Sequence, residues 1–241
     1  LRQDLRLHDH PALSAASAAG PIIPVYILDD ETPKDWRWGG ASRWWLHKSL
    51  EQLNVHMSLV LRQGETTAVL ENLLHQTNAS AIYFTRDYAS WSGALEQRVK
   101  SLCDNTGVSC HRHGGFLLHE PESIRNGSGE FFKVYTPFSR VCFSKGEPRA
   151  PKPKINFSMF ESKVASDTLN SWNLLPTKPD WAQGIATTWA PGEAGARELL
   201  ATFLDDGLKG YAEGRDRPDQ QHVSRLSAHL HWGEISPHNV W

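Results

Sequence analysis

The chain has 241 residues, which at roughly 150 residues per domain reads as one large domain, or a complete domain with part of a second. Its 39% hydrophobic content and mean hydropathy of -0.47 are those of a soluble globular protein with a real core, and they exclude a disordered tail or a disulfide-stapled miniprotein. Lys plus Arg at 25 against Asp plus Glu at 27 gives a formal charge of -2, which excludes a polycation that binds nucleic acid by bulk attraction and leaves room for a local basic surface.

The chain opens at Leu1 on the charged segment LRQDLRLHDH, where an αβ repeat should open on a strand. A first strand is therefore expected just upstream, because a missing central strand leaves sheet edges unpaired. Ile22 to Leu28 reads as a buried strand in which Pro24 sits awkwardly. Gly39, Gly40 and Ser42 precede a helix carrying Leu46, Leu50 and Leu53 on one face. Met57 to Leu61 is the next strand; Val69, Leu70, Leu73 and Leu74 stripe a helix; Ala81 to Phe84 is a third strand. Leu95, Val99 and Leu102 mark a further helix, and Val108 to His111 a further strand. Short apolar strands alternating with helices predict a Rossmann-like α/β domain over 1–120, with a parallel sheet covered by helices on both faces.

Periodicity then fades between Gly114 and Gly192, where Pro148, Pro151 and Pro153 and scattered tryptophans read as a long interdomain connector, placed at 121–192. Helical spacing returns with Ala196, Leu199, Leu200, Phe203, Leu204 and Leu208, and again around Val223, Leu226 and Leu230. Residues 193–241 are thus expected to begin an all-α domain that continues beyond Trp241, since two or three helices bury no core alone.

Few residues in the α/β part carry recognisable chemistry. No G-x-G-x-x-G or G-x-x-x-x-G-K-[ST] loop is present, and Gly39-Gly40 reads as a turn before a helix more readily than as an anion site. Cys103, Cys110, His111 and His113 alternate between a helix and both faces of a strand, which disfavours zinc. Asp29-Asp30-Glu31 sits at a strand's C-terminal end, where α/β folds bind ligands, yet reads equally as a solvated loop. No catalytic side chain and no metal site is assigned. Three cysteines in no spaced framework, with no signal peptide and no bilayer-length apolar run, point to the cytoplasm.

The richest stretch is 208–241, where Tyr211 is followed by Arg215, Asp216, Arg217 and Pro218 and then by His222-Val223-Ser224-Arg225-Leu226-Ser227. Loop arginines suit backbone phosphates, and hydroxyls with neighbouring amides suit another phosphate; the alternative is an Asp219 N-cap ahead of a plain amphipathic helix.

Arg2-Gln3-Asp4-Leu5-Arg6-Leu7-His8-Asp9, with Ala12-Leu13 after it, resembles the R-x-D-L-R-x-x-D-x-x-A-L signature of the DNA photolyase and cryptochrome family. Three further segments match that family in order: Glu130 to Phe138 with its K-V-Y-T-P-F run, Tyr211 to Pro218 as Y-x-x-x-R-D-x-P, and Ser224 to Trp241 with S-x-L-S and G-x-I-S-P. The resemblance implies an α/β domain with an antenna chromophore and a helical domain holding FAD. It places Tyr211, Ser224, Leu226 and Ser227 against the FAD diphosphate and ribityl region, and Arg215 on the backbone of UV-damaged DNA. Asp9 and Arg6 are expected to hold a loop together. The implied activity is light-driven repair of cyclobutane pyrimidine dimers by electron transfer from excited reduced FAD; a blue-light photoreceptor and a (6-4) photoproduct photolyase are the alternatives. The protein is expected to be a monomer without membrane contact, and this 241-residue stretch alone to be inactive. Val223, His238 and Val141-Cys142 depart from the family's usual Thr, Arg and Trp, and Tyr88-Ala89-Ser90 lacks the Asn-Glu pair of a folate antenna site, so Trp91 either stacks on another chromophore or packs on its helix.

Overall fold

The computed structural model describes residues 1–161 and 164–241. It is a mixed α/β fold, with four strands among the described residues arranged as two parallel pairs. β1 (Val25–Leu28) pairs with β2 (Val60–Gln63), Val25 opposite Val60, and β3 (Ala81–Thr85) pairs with β4 (Ser109–His113), Ala81 opposite Ser109. Parallel neighbours need a crossover, and helices supply it: α2 (Gly40–Asn54) links β1 to β2, α3 (Thr66–Thr77) links β2 to β3, and α4 (Ser92–Thr106) links β3 to β4. The parallel sheet read from the sequence is thus present as two two-stranded sheets.

Strand ends fall where the backbone chemistry puts them. Pro24 has no N–H, so β1 starts at Val25, while Ile22 makes a separate parallel bridge to Met159. β2 and β4 each extend two residues further than the apolar run suggests, because Arg62-Gln63 and Arg112-His113 continue the ladder beside β1 and β3. α1 (Pro11–Ala19) begins with Pro11 at a position needing no donor, and His10 Nδ1 accepts from Leu13 N at 3.2 Å.

The main core gathers Leu46, Leu50 and Leu53 of α2 with Tyr26, Leu28 and Leu61. The connector contributes Trp172, Leu174 and Ala182 to it, and the C-terminal segment contributes Trp232. A second cluster packs Leu95, Val99 and Cys103 of α4 against Ile82 and Phe84. The C-terminal segment carries α7 (Glu193–Thr202), α8 (Leu208–Gly214), α9 (Ser227–His231) and α10 (Pro237–Val240), and a third cluster packs Ala196 of α7 with Leu226 and Ile235 from either side of α9.

The 121–192 stretch is less irregular than its sequence suggests. It holds α5 (Tyr135–Ser144) and α6 (Gln183–Thr188). α5 buries no residue and leaves Tyr135 and Phe143 exposed, so its apolar side chains form no stripe facing a core.

Buried ionic groups tie the C-terminal helices to the α/β domain. Arg6 is 1% exposed and donates to the carbonyls of His8 at 3.1 Å, Asp9 at 2.9 Å, Gly115 at 2.9 Å and Gly233 at 2.9 Å. Asp9, at φ 48°, accepts from Arg149 Nη1 at 2.5 Å and from the Lys152 amide at 3.0 Å. Glu234, also fully buried, accepts from Trp45 Nε1 at 3.1 Å, Gly192 N at 2.7 Å and Ser49 Oγ, and its Oε2 lies 2.5 Å from His229 Nδ1. Gly233 makes this join possible, since a Cβ there would lie 2.0 Å from the Gln3 carbonyl oxygen.

Replacing Arg6 with Met leaves buried carbonyls without donors and is expected to cost about 3 kcal/mol, measured as a lower urea midpoint at unchanged slope. Arg6→Lys recovers little of it, because one ammonium does not span four carbonyls. Hydrogen bonds from Arg149 and Lys152 hold the Asp9 carboxyl below its usual 3.8 against the opposing effect of burial. Its folded pKa lies below its unfolded one, so it contributes stability above about pH 4 that is lost as pH falls through the folded value. The Asp9→Asn variant should show a flatter loss of stability on acidification, read by urea unfolding at stepped pH.

Candidate functional site

The 203–227 region takes its shape from one helical rod and a loop folded back on it. α7 passes through a wide π-helical turn at Phe203–Gly207 directly into α8. The chain then returns through 215–226 to α9. Two glycines let the return loop approach: a Cβ at Gly210 would lie 2.4 Å from His222 Nδ1, and one at Gly214 would lie 2.6 Å from His222 Cβ. The His222 ring therefore fills the groove along one face of α8, with its Nδ1 buried and unpartnered among the described residues.

Tyr211 lies on the exposed side of that helix. Its ring meets Phe203 edge to face at 5.8 Å and 82°, and the Arg215 guanidinium stands 5.6 Å from its centroid. Arg215 is exposed, with a loose 3.6 Å approach to Asp216, whereas Arg217 is engaged by Asp219 at 3.0 Å. Both side chains are exposed to about the same degree, and Arg215 is the one without a close carboxylate partner.

Ser224 is half-buried and receives a long 3.5 Å contact from the Leu226 amide. Ser227 opens α9 and is exposed, and its hydroxyl has no protein partner among the described residues. Leu226 differs from the other three. Its side chain is 1% exposed, packed with Ala196 and Ile235, so the backbone is the part of it left for a ligand. Tyr211 thus lies on α8, Arg215 and Ser224 on the loop after it and Ser227 at the start of α9, and Leu226 anchors the end of that loop in the third cluster. α9 begins at Ser227, not after Asp219, so Arg217 to Leu226 is loop.

Arg225 and His222 were not singled out as site residues. Arg225 adopts φ 53° and lies over Trp189 at 4.3 Å. The signal for His222 was the Gly210-x-x-x-Gly214 spacing, which clears one helix face for a close neighbour. The two hydroxyls with the amides that open α9 have the chemistry that phosphate oxygens require, whereas His222 Nδ1 is buried against Gly210 of α8.

The weaker candidates of the α/β part turn out to be structural. Asp29 organises its loop, accepting from Thr32 and Thr66 hydroxyls at 2.6 and 2.7 Å and from their amides. Asp30 pairs with Arg43 at 2.6 Å. Gly40 makes room for Trp181, whose ring a Cβ would approach at 2.9 Å. His111 is exposed and stacks on Tyr83 at 4.5 Å, and burial with Cys110 nearby pushes the Cys103 thiol up to about 12. Tyr88 donates to Glu120 at 2.6 Å under the Arg86 guanidinium, and Trp91 packs against the α4 cluster.

Fold and site together define a two-part protein, an α/β domain of parallel strand pairs locked to a helical segment that carries a hydroxyl-bearing loop. The family model for DNA photolyase matches residues 1–154. A deoxyribodipyrimidine photo-lyase of Agrobacterium fabrum is 42% identical over 250 residues, covering all of this chain and 51% of that protein. Cryptochrome-1 of Arabidopsis thaliana is 31% identical, covering all of this chain and 36% of that protein. The crystal structure of a bacterial class III photolyase from Agrobacterium tumefaciens superposes with a TM-score of 0.94 at 40% identity, over the whole of this chain and 51% of that one. The chain belongs to the DNA photolyase family, and it spans about half the length or less of these relatives.

Proposed function

We propose that this chain supplies the α/β domain and a cofactor loop of a monomeric, cytoplasmic photolyase that repairs cyclobutane pyrimidine dimers in UV-damaged DNA. The observation that carries this reading is the 42% identity to a photo-lyase across the whole chain, joined to an exposed Arg215 and the hydroxyls of Ser224 and Ser227 on the segment that follows it. FAD fits that loop by chemistry. Ser224 and Ser227 would hold the diphosphate through their hydroxyls, the Leu226 amide would add a backbone donor, and Tyr211 would pack against the cofactor. The chemistry a bound, reduced FAD would supply at this loop is light-driven electron donation to the dimer.

The residues of this chain bind and orient. Leu226 fixes the loop to the core. Arg215 keeps a permanent charge in solvent for a phosphate of the damaged strand, and a local charge suffices at a net charge of -2. A lesion already unstacked is the cheapest base pair to flip toward such a site. The 31% identity to a plant cryptochrome supports a second reading, a blue-light photoreceptor using the same flavin loop.

Blue light on the flavin-loaded, full-length gene product should restore oligonucleotides carrying a defined cyclobutane dimer, with no turnover in the dark. Repair confined to a (6-4) photoproduct replaces the lesion, and photoreducible flavin without repair of either substrate replaces the enzyme with the photoreceptor. Arg215→Ala should weaken binding to dimer-containing duplex about tenfold and lower the salt slope by about one, with flavin absorbance unchanged. Loss of flavin in that variant contradicts the role given to Arg215.

A further inference from the structure

The turn ahead of α5 holds a reactive arrangement outside the 211–227 loop. Asn126 is the one asparagine of the chain that a glycine follows. Its Oδ1 accepts from Ser128 N at 3.0 Å, Ser128 Oγ at 2.9 Å and Glu130 N at 2.8 Å. Two backbone bonds of 2.9 Å close the turn, one from Asn126 N to the Glu130 carbonyl and one from Gly129 N to the Asn126 carbonyl. Among the described residues, neither the Gly127 amide nor Asn126 Nδ2 donates a hydrogen bond. Gly127 is exposed, and a Cβ there would meet nothing within 4 Å.

These features bear on one reaction. An amide nitrogen that holds no acceptor, on a residue with no side chain, has little to keep it from the side-chain carbonyl carbon of the residue before it. Three donors on Oδ1 draw charge toward that oxygen, and they are already in place for the negative charge it gains when Cγ is attacked. Nδ2, the group that has to leave, is unheld. Asp206-Gly207 offers a contrast, because it has the same following residue but lies in the π-helical turn at Phe203–Gly207, where Gly207 is buried.

We propose that Asn126 is a site of spontaneous deamidation, with water as the only co-reactant. The Gly127 nitrogen gives its proton to solvent and bonds to Asn126 Cγ. The Cγ–Nδ2 bond breaks, and the nitrogen takes a proton from water and leaves as ammonia. Water then opens the five-membered imide. Cleavage of the new Cγ–N bond gives aspartate, and cleavage of the original peptide bond gives isoaspartate; nothing is oxidised or reduced. Either product adds one negative charge next to Arg125, whose guanidinium lies 3.5 Å from the centre of the Phe131 ring. Aspartate keeps an oxygen for the three donors and strengthens those bonds, whereas isoaspartate adds a carbon to the backbone and opens the turn.

The test incubates the folded full-length gene product at mildly alkaline pH for weeks, with a parallel sample in urea, and follows tryptic peptides by chromatography and mass spectrometry. Trypsin releases 126–133 by cutting after Arg125 and Lys133. In the folded sample that peptide should gain about one dalton and split into two products, aspartate and isoaspartate. Peptides carrying the other asparagines should change at least about tenfold more slowly, and the peptide with Asp206-Gly207 should yield no isomer. Gly127→Ala fits the open space and should slow the conversion about tenfold. No gain at 126–133 while another asparagine converts overturns the proposal. So does a gain that Gly127→Ala leaves unchanged, or one seen only in urea, which would mean that the folded turn shields the site.

Discussion

The guanidinium of Arg6 stands where three distant stretches meet: the opening segment, the turn after β4 and the link between α9 and α10. A planar cation with five N–H donors in a fixed fork can answer carbonyls arriving from several directions, and here it answers those of His8, Asp9, Gly115 and Gly233. Burying that charge costs several kcal/mol, and the carbonyl dipoles together with Asp4, Asp9 and Glu193 nearby offset it. The residue after Gly233 repeats the device with the opposite sign, since Glu234 is a buried anion that draws in Trp45, Ser49 and Gly192. The join is strong only when every partner is in place, so the helical segment has one seating on the α/β domain.

Much of this architecture is legible in the amino-acid pattern because it rests on local rules. Leu46, Leu50 and Leu53 announce α2 by their period, and Pro24 announces the trouble at the start of β1. The role expected of Arg6 and Asp9 in holding a loop is what the structure displays, on a larger scale than a loop. What stays hidden depends on distance. Arg149 lies in the stretch read as a proline-punctuated connector, yet its guanidinium pairs with Asp9, 140 positions away. The connector hides two helices because its large apolar residues pack as single plugs, with Trp172 and Leu174 in the α/β core and Tyr135 and Phe143 outside any core.

The candidate site divides in the same way. Arg215, Ser224 and Ser227 carry their chemistry in their side chains, so residue type suggested them as phosphate partners, while Tyr211 was named through the family resemblance. Leu226 was picked out with them, but its side chain serves the core, and no local pattern separates a leucine that lines a ligand from one that holds the loop up. His222 and Arg225 act through neighbours that folding brings, two glycines in one case and Trp189 in the other.

The π-helical turn at Phe203–Gly207 acts on the rod as a phase shifter. The apolar series through Ala196, Leu199, Leu200, Leu204 and Leu208 reads as one continuous stripe, yet Ala196 is buried whereas Leu204 and Leu208 are about half exposed. A π turn accommodates one residue more than an α turn, and each residue advances the screw by about 100°. From the turn onward the stripe is dialled away from its own core, and Leu204 within the turn and Leu208, Tyr211 and Arg215 after it come round to the solvent side. A single unbroken hydrophobic sequence thus serves two masters, clamping the first half of the rod inward while it aims the second half outward.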